Sequence, residues 1–82
     1  MLTVSVISPE KVLFEGQASG LVAPGHDGRL GILPGHAPLM TVLGRGVLIL
    51  DGAGGARFQV QGGFLQVVDN VVRVVTESAT AL

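Results

Sequence analysis

Turn signals recur every six to twelve residues along this chain, which restricts it to short, sharply connected elements. Pro24-Gly25, Pro34-Gly35, Gly44, the Asp51–Gly55 stretch and Asp69-Asn70 all break the chain with residues suited to turns. No apolar stripe of helical period persists over three turns. Between the breaks β-branched residues dominate, with 13 Val and 3 Ile among 82 residues. This spacing predicts an all-β fold, a flattened β-sandwich or barrel of about eight to ten mostly antiparallel short strands, rather than a parallel α/β sheet.

The individual strands can be placed. Leu2, Val4 and Val6 alternate with Thr3 and Ser5, as in a half-buried strand. Val12–Phe14 is a second strand, Ser19–Ala23 a third closed by Pro24-Gly25, and Leu30–Leu33 a fourth closed by Pro34-Gly35. Leu39–Leu43 follows, closed by Gly44, and the continuous apolar run Val47–Leu50 reads as buried on both faces. Arg57–Gln61 alternates cleanly, with Phe58 and Val60 on one side. Phe64–Val68 and Val71–Val75 flank Asp69-Asn70, a two-residue hairpin signal. Ser8–Lys11 reads as a turn, although Ser8 and Pro9 have helix-opening chemistry. The tail Thr76–Leu82 has the Ala content and early Glu77 of a helix start, with room for one turn or two.

Composition narrows the class. A chain of 82 residues is one domain, spanning 1–82. Five basic and six acidic side chains exclude the broad basic face of a nucleic-acid binder. Without cysteine there is no disulfide, thiol catalysis or Cys-ligated zinc. No run approaches the ~20 apolar residues needed to span a bilayer. The N-terminal residues Met1–Ile7 lack a basic n-region and a cleavage site, so no leader is expected. Charged residues make up 13% against 48% apolar, about half the usual charged share. So few charges leave an exposed apolar face that meets a partner as the expectation.

The search for chemistry returns little. His26, Asp27 and His36 are the one plausible ligand cluster, and no H-E-x-x-H spacing exists. Loop histidines are the simpler reading. Ser5, Ser8, Ser19 and Ser78 all lie outside any G-x-S-x-G elbow. Gly25, Gly28 and Gly31 precede no G-K-[ST], and Gly44-Arg45-Gly46 opens no dinucleotide fingerprint. A single lysine, Lys11, and three Phe without Trp or Tyr make a poor nucleic-acid platform. No catalytic residue, cofactor or metal is therefore expected. The residues describe a β-sandwich interaction module with an apolar docking face. The alternatives are a stand-alone binder of a small ligand or protein, with a pocket between its sheets, and an enzyme built on His26, Asp27 and His36.

A resemblance sharpens this reading. Pro24 to Leu39 reads P-G-H-D-G-R-L-G-I-L-P-G-H-A-P-L, continued by Thr41 and Gly46-Val47-Leu48. It closely resembles the signature of the epsilon subunit of bacterial and chloroplast F-type ATP synthases, called delta in mitochondria. Pro9-Glu10, Phe14 and Gly16 upstream, and Gly62-Gly63-Phe64-Leu65-Gln66-Val67 downstream, extend the similarity over about residues 2–78. The resemblance implies a flattened ten-stranded sandwich followed by two helices. This chain ends near where those helices begin. It is expected to be a single epsilon-type sandwich domain, 1–82, with no C-terminal helical domain. It is thus expected to lack the helical arm that inhibits ATP hydrolysis and carries a regulatory ATP site in some members.

The resemblance further implies a non-catalytic rotor subunit of the central stalk. Its partners would be the gamma subunit and the ring of c subunits, and its role the coupling of proton transport to ATP synthesis. It would be peripheral to the membrane through the complex, without insertion, on the cytoplasmic face of the bacterial inner membrane or the stromal side of the thylakoid. Arg29, Leu30, Gly31, Pro34, Gly35 and His36 match the family's contact with the polar loops of the c-ring. Ser8 and Thr41 match its face toward gamma. Arg29 departs from the pattern, since bacterial members often carry an acid before this Leu. It would remove an ion pair with a basic ring loop, or meet an acid on an altered ring.

Overall fold

A computed structural model describes residues 1–82. It contains ten strands and no helix: β1 Leu2–Ile7, β2 Val12–Ala18, β3 Gly20–Gly25, β4 Gly28–Ile32, β5 Leu39–Val42, β6 Arg45–Asp51, β7 Arg57–Gln61, β8 Phe64–Val68, β9 Val71–Val75 and β10 Ser78–Ala81. They form two five-stranded sheets, ordered β2-β1-β9-β8-β5 and β10-β7-β6-β3-β4. All neighbours are antiparallel except β1 and β9, which run parallel. The molecule measures 28 × 27 × 18 Å. The short axis fits two sheets about 10 Å apart with their outer side chains, so the sandwich is flattened as expected.

Four hairpins stay within a sheet. Asp69 and Asn70 turn the β8–β9 hairpin at φ 50° and 64°, the left-handed pair of a type I′ turn. The β1–β2 turn is closed by Ser8, whose N–H donates to the Lys11 carbonyl at 2.9 Å. The remaining connections carry the chain from one sheet to the other. At Gly62-Gly63, between β7 and β8, Gly63 sits at φ +103°. A β-carbon there would collide with the carbonyl oxygen of Val75, so only glycine passes.

Several boundaries differ from the sequence reading. The tail is not a helix start: Ser78–Ala81 pairs along β7 from Gln61 to Phe58, because the edge of β7 offers hydrogen bonds that one helical turn could not match. Strand β2 runs on from Phe14 to Ala18, since Leu2 to Val6 of β1 provide partners throughout. Strand β3 continues through Pro24, whose carbonyl accepts the Gly44 N–H at 2.8 Å. In β6, Leu48 and Leu50 are buried but Val47 and Ile49 are only half-buried. That run lies inside the sandwich on one face alone.

The core is a single cluster of 16 buried residues drawn from both sheets. Leu2, Val4, Val6, Leu65, Val67, Val72 and Val74 of the first sheet meet Leu21, Ile32, Leu48, Leu50, Phe58 and Val60 of the second. Phe14 and Phe58 touch edge to face, with ring centroids 6.3 Å apart. Alternation puts every second residue of β1, β7, β8 and β9 into this cluster. The accessible surface, 4541 Å², matches the roughly 4600 Å² expected of a compact chain of this mass.

Candidate interaction surface

Residues paired across neighbouring strands lie on one face, so the registers define what each sheet shows to solvent. On the outer face of the first sheet, Val75, Phe64 and Val42 form one cross-strand row. Ile7 and Val12 extend it toward the opposite edge. Arg73, Gln66 and Met40 make the next row, with Ser5 and Glu15. Val71 and Val68 lead the third. This face is apolar and open: Met40 is 63% exposed, Val42 59% and Phe64 38%.

The outer face of the second sheet has a different character. Arg57, Gln59 and Gln61 of β7 are exposed beside Ser78 and Thr80 of β10. Its apolar residues Val22, Val47 and Ile49 are half-buried among them. An apolar partner therefore gains most by covering the first sheet.

The residues that resemblance assigns to the c-ring fall on one rim. Arg29 and Gly31 are exposed on edge strand β4, while Leu30 between them turns inward against the core. The loop that continues β4 exposes Pro34 and Gly35, with His36 half-buried. Leu33, Pro34, Gly35 and His36 form a turn closed by the His36 N–H to the Leu33 carbonyl at 3.1 Å, with Gly35 at φ +86°. That is the conformation of a type II Pro-Gly turn. His36 Nδ1 donates to the Ala37 carbonyl at 2.7 Å, which orients the ring within the turn.

Ser8 and Thr41, assigned to gamma, are not neighbours. Strands β9 and β8 lie between β1 and β5, a separation of about 14 Å. The Ser8 hydroxyl lies 3.2 Å from the Lys11 carbonyl and 3.3 Å from the Lys11 nitrogen, so it is engaged in its own turn. Thr41 pairs with buried Leu65 and is half-buried on the inward side. Each nonetheless borders the apolar row, Ser8 following Ile7 and Thr41 preceding Val42. Sequence reasoning anticipated an apolar face but not its members. The signal was present in the doubled valines Val67-Val68, Val71-Val72 and Val74-Val75, which make one residue outward for each inward.

The residues singled out for an enzymatic or metal-binding reading do not gather. His26 and Asp27 cap the β3–β4 hairpin, whereas His36 lies beyond the other end of β4. Five strand residues separate them by about 17 Å, so they share no point in space. No group of three or more His, Cys, Asp or Glu side chains gathers anywhere. The space between the sheets is filled by the core cluster. The largest depression is an open surface groove of about 550 Å³ lined by His26, Asp27, Met40, Thr41, Val42 and Phe64.

Comparison with known proteins gives a consistent result. The family described as ATP synthase, Delta/Epsilon chain, beta-sandwich domain matches residues 1–82. The ATP synthase epsilon chain of Leptospira borgpetersenii is 52% identical over 77 residues, covering 93% of this chain and 61% of the relative. That of Gloeothece citriformis is 38% identical over 81 residues, covering 98% of this chain and 59% of the relative. The chain thus spans about three-fifths of the length of such relatives. A chain in the Euglena gracilis mitochondrial ATP synthase, OSCP/F1/c-ring, superimposes with TM-score 0.88 at 23% identity, covering 98% of this chain and 52% of that one. One in the Tetrahymena thermophila mitochondrial ATP synthase central stalk/c-ring gives TM-score 0.81 at 20% identity, covering 96% and 65%. At these identities the two structures establish a shared fold.

Proposed function

This chain belongs to the delta/epsilon β-sandwich family of ATP synthases, and on that premise we propose that it is a non-catalytic part of the rotating central stalk. It bridges the gamma subunit and the c-ring, so that proton-driven rotation of the ring reaches the catalytic head. It makes and breaks no bond itself.

The observation that carries this reading is the open apolar face of the first sheet. Gamma covers that face, with Met40, Val42 and Phe64 as its anchors and Ser8 and Thr41 at its borders. Burying three such side chains supplies roughly 2 kcal/mol each at most, a contribution that adds to the remaining contacts of the assembly. The rim formed by Arg29, Gly31, Pro34, Gly35 and His36 meets the polar loops of the ring, and Leu30 shapes it from within. Arg29 then calls for an acid or a backbone carbonyl on the ring. Residues 1–82 hold no helix, so inhibition of ATP hydrolysis by a helical arm is not assigned to this domain. Contact with the membrane runs through the ring, on the cytoplasmic side of a bacterial membrane or the stromal side of a thylakoid.

The test is complex formation with gamma, read by size-exclusion chromatography with light scattering. The native chain is expected to form a one-to-one complex. Val42→Arg, at an exposed position that leaves the core intact, is expected to weaken it about tenfold or more, equivalent to about 1.4 kcal/mol. A complex of unchanged affinity would move gamma off this face.

A further inference from the structure

The loop Leu33–Pro38 carries Pro34, Gly35 and His36, yet little holds it in place. It leaves the second sheet after Ile32 and enters the first at Leu39. Two of its residues, Pro34 and Pro38, have no N–H to donate. Its turn bond, from His36 to Leu33, and its ring bond, from His36 to Ala37, are internal. A single hydrogen bond ties it to the rest of the chain: the Gly35 N–H donates to Oδ1 of Asn70 at 2.7 Å, across 35 residues.

Asn70 is well placed to serve as an anchor. It sits at φ 64° in the β8–β9 hairpin, and its backbone carbonyl accepts the Thr3 N–H at 2.8 Å. One residue thus joins the hairpin tip, the start of β1 and the crossing loop. Asparagine combines tolerance of the left-handed conformation with a side-chain carbonyl that can accept a hydrogen bond. Glycine would serve the turn equally well and cannot reach the loop.

We propose that Asn70 is a positioning residue for the c-ring contact: its side-chain carbonyl holds the Pro34-Gly35-His36 turn in the shape that the ring meets. This rests on the rotor reading above. The hairpin lies in one sheet and the loop joins both, so the clamp makes the ring-facing turn move with the first sheet, the same sheet that gamma covers. Force entering at the ring is then passed through a fixed turn instead of a loop free to yield.

Two substitutions separate this role from a structural one. Asn70→Gly makes an Asp-Gly hairpin, a favoured type I′ pair, and deletes only the acceptor. Asn70→Asp keeps an acceptor oxygen at the same reach. Amide hydrogen exchange is followed by NMR on the isolated chain, and binding is measured to a detergent-solubilised c-ring carrying gamma. Asn70→Gly is expected to speed exchange at Gly35 about fivefold, leave the β8 and β9 amides protected, and weaken ring binding several-fold. Asn70→Asp is expected to restore both. Unchanged Gly35 exchange in the glycine variant would overturn the clamp. Faster exchange with undiminished ring binding would overturn the positioning role while the rotor reading stood. A native chain that fails to bind the gamma-loaded ring would overturn the rotor reading, and this proposal with it.

Discussion

Two glycines show how differently a single residue type constrains this chain. Gly35 and Gly63 both have positive φ, at +86° and +103°. Around Gly35 a β-carbon would meet nothing within 4 Å, whereas at Gly63 it would strike the Val75 carbonyl and crowd Thr76. Gly35→Ala should therefore cost only the conformational strain, about 1–2 kcal/mol. Gly63→Ala adds an overpacked backbone contact to that strain and should cost about 3 kcal/mol or more. Urea denaturation of both variants checks this, and equal losses would show that the sheet crossing at Gly62-Gly63 can relax. The Gly-Gly pair was legible in the sequence as part of a motif. The reason for its second member was not, because Val75 is brought to it only by the pairing of β8 with β9.

Strands were legible where hydropathy alternates and opaque where it does not. In β7, Phe58 and Val60 are buried between exposed Arg57, Gln59 and Gln61, as the alternation requires. In β5 the pattern inverts: Leu39 and Thr41 face inward while Met40 and Val42 face solvent. Polarity alone puts Thr41 on the outside, and the registry with Leu65 puts it inside. Strand β10 was missed because the alternation in Ser78–Ala81 is carried only by two alanines, too small to mark a face, and the strand takes its conformation from pairing with β7. The parallel pairing of β1 with β9 links residues nearly the whole chain apart, and no local pattern carries it. The paired strands β8 and β5 offer a test of the face assignments. Leu65→Ala, in the core, should cost about 2–5 kcal/mol. Val42→Thr, on the outer face, should change stability of the isolated chain by about 0.5 kcal/mol or less. Comparable losses in thermal or chemical denaturation would mean that the outer face is already covered.

At the scale of the molecule, the sandwich divides its surfaces by task. One face is apolar and open, the opposite face carries polar side chains around a half-buried strip, and one rim ends in a clamped Pro-Gly turn. That division was only partly readable beforehand. Composition pointed to an apolar face, and the P-G-H-D-G-R-L-G-I-L-P-G-H-A-P-L stretch pointed to the family. Which sheet carries the face depends on ten strands meeting in register. The absence of cysteine allows a direct test without background labelling. A photoactivatable maleimide is attached to Val42→Cys on the first sheet and, separately, to Gln59→Cys on the second. Each is then assembled with gamma and the c-ring and illuminated. Covalent joining to gamma from position 42 and not from position 59 is the expected result. Joining from position 59 with none from position 42 would contradict the assignment of the apolar face to gamma.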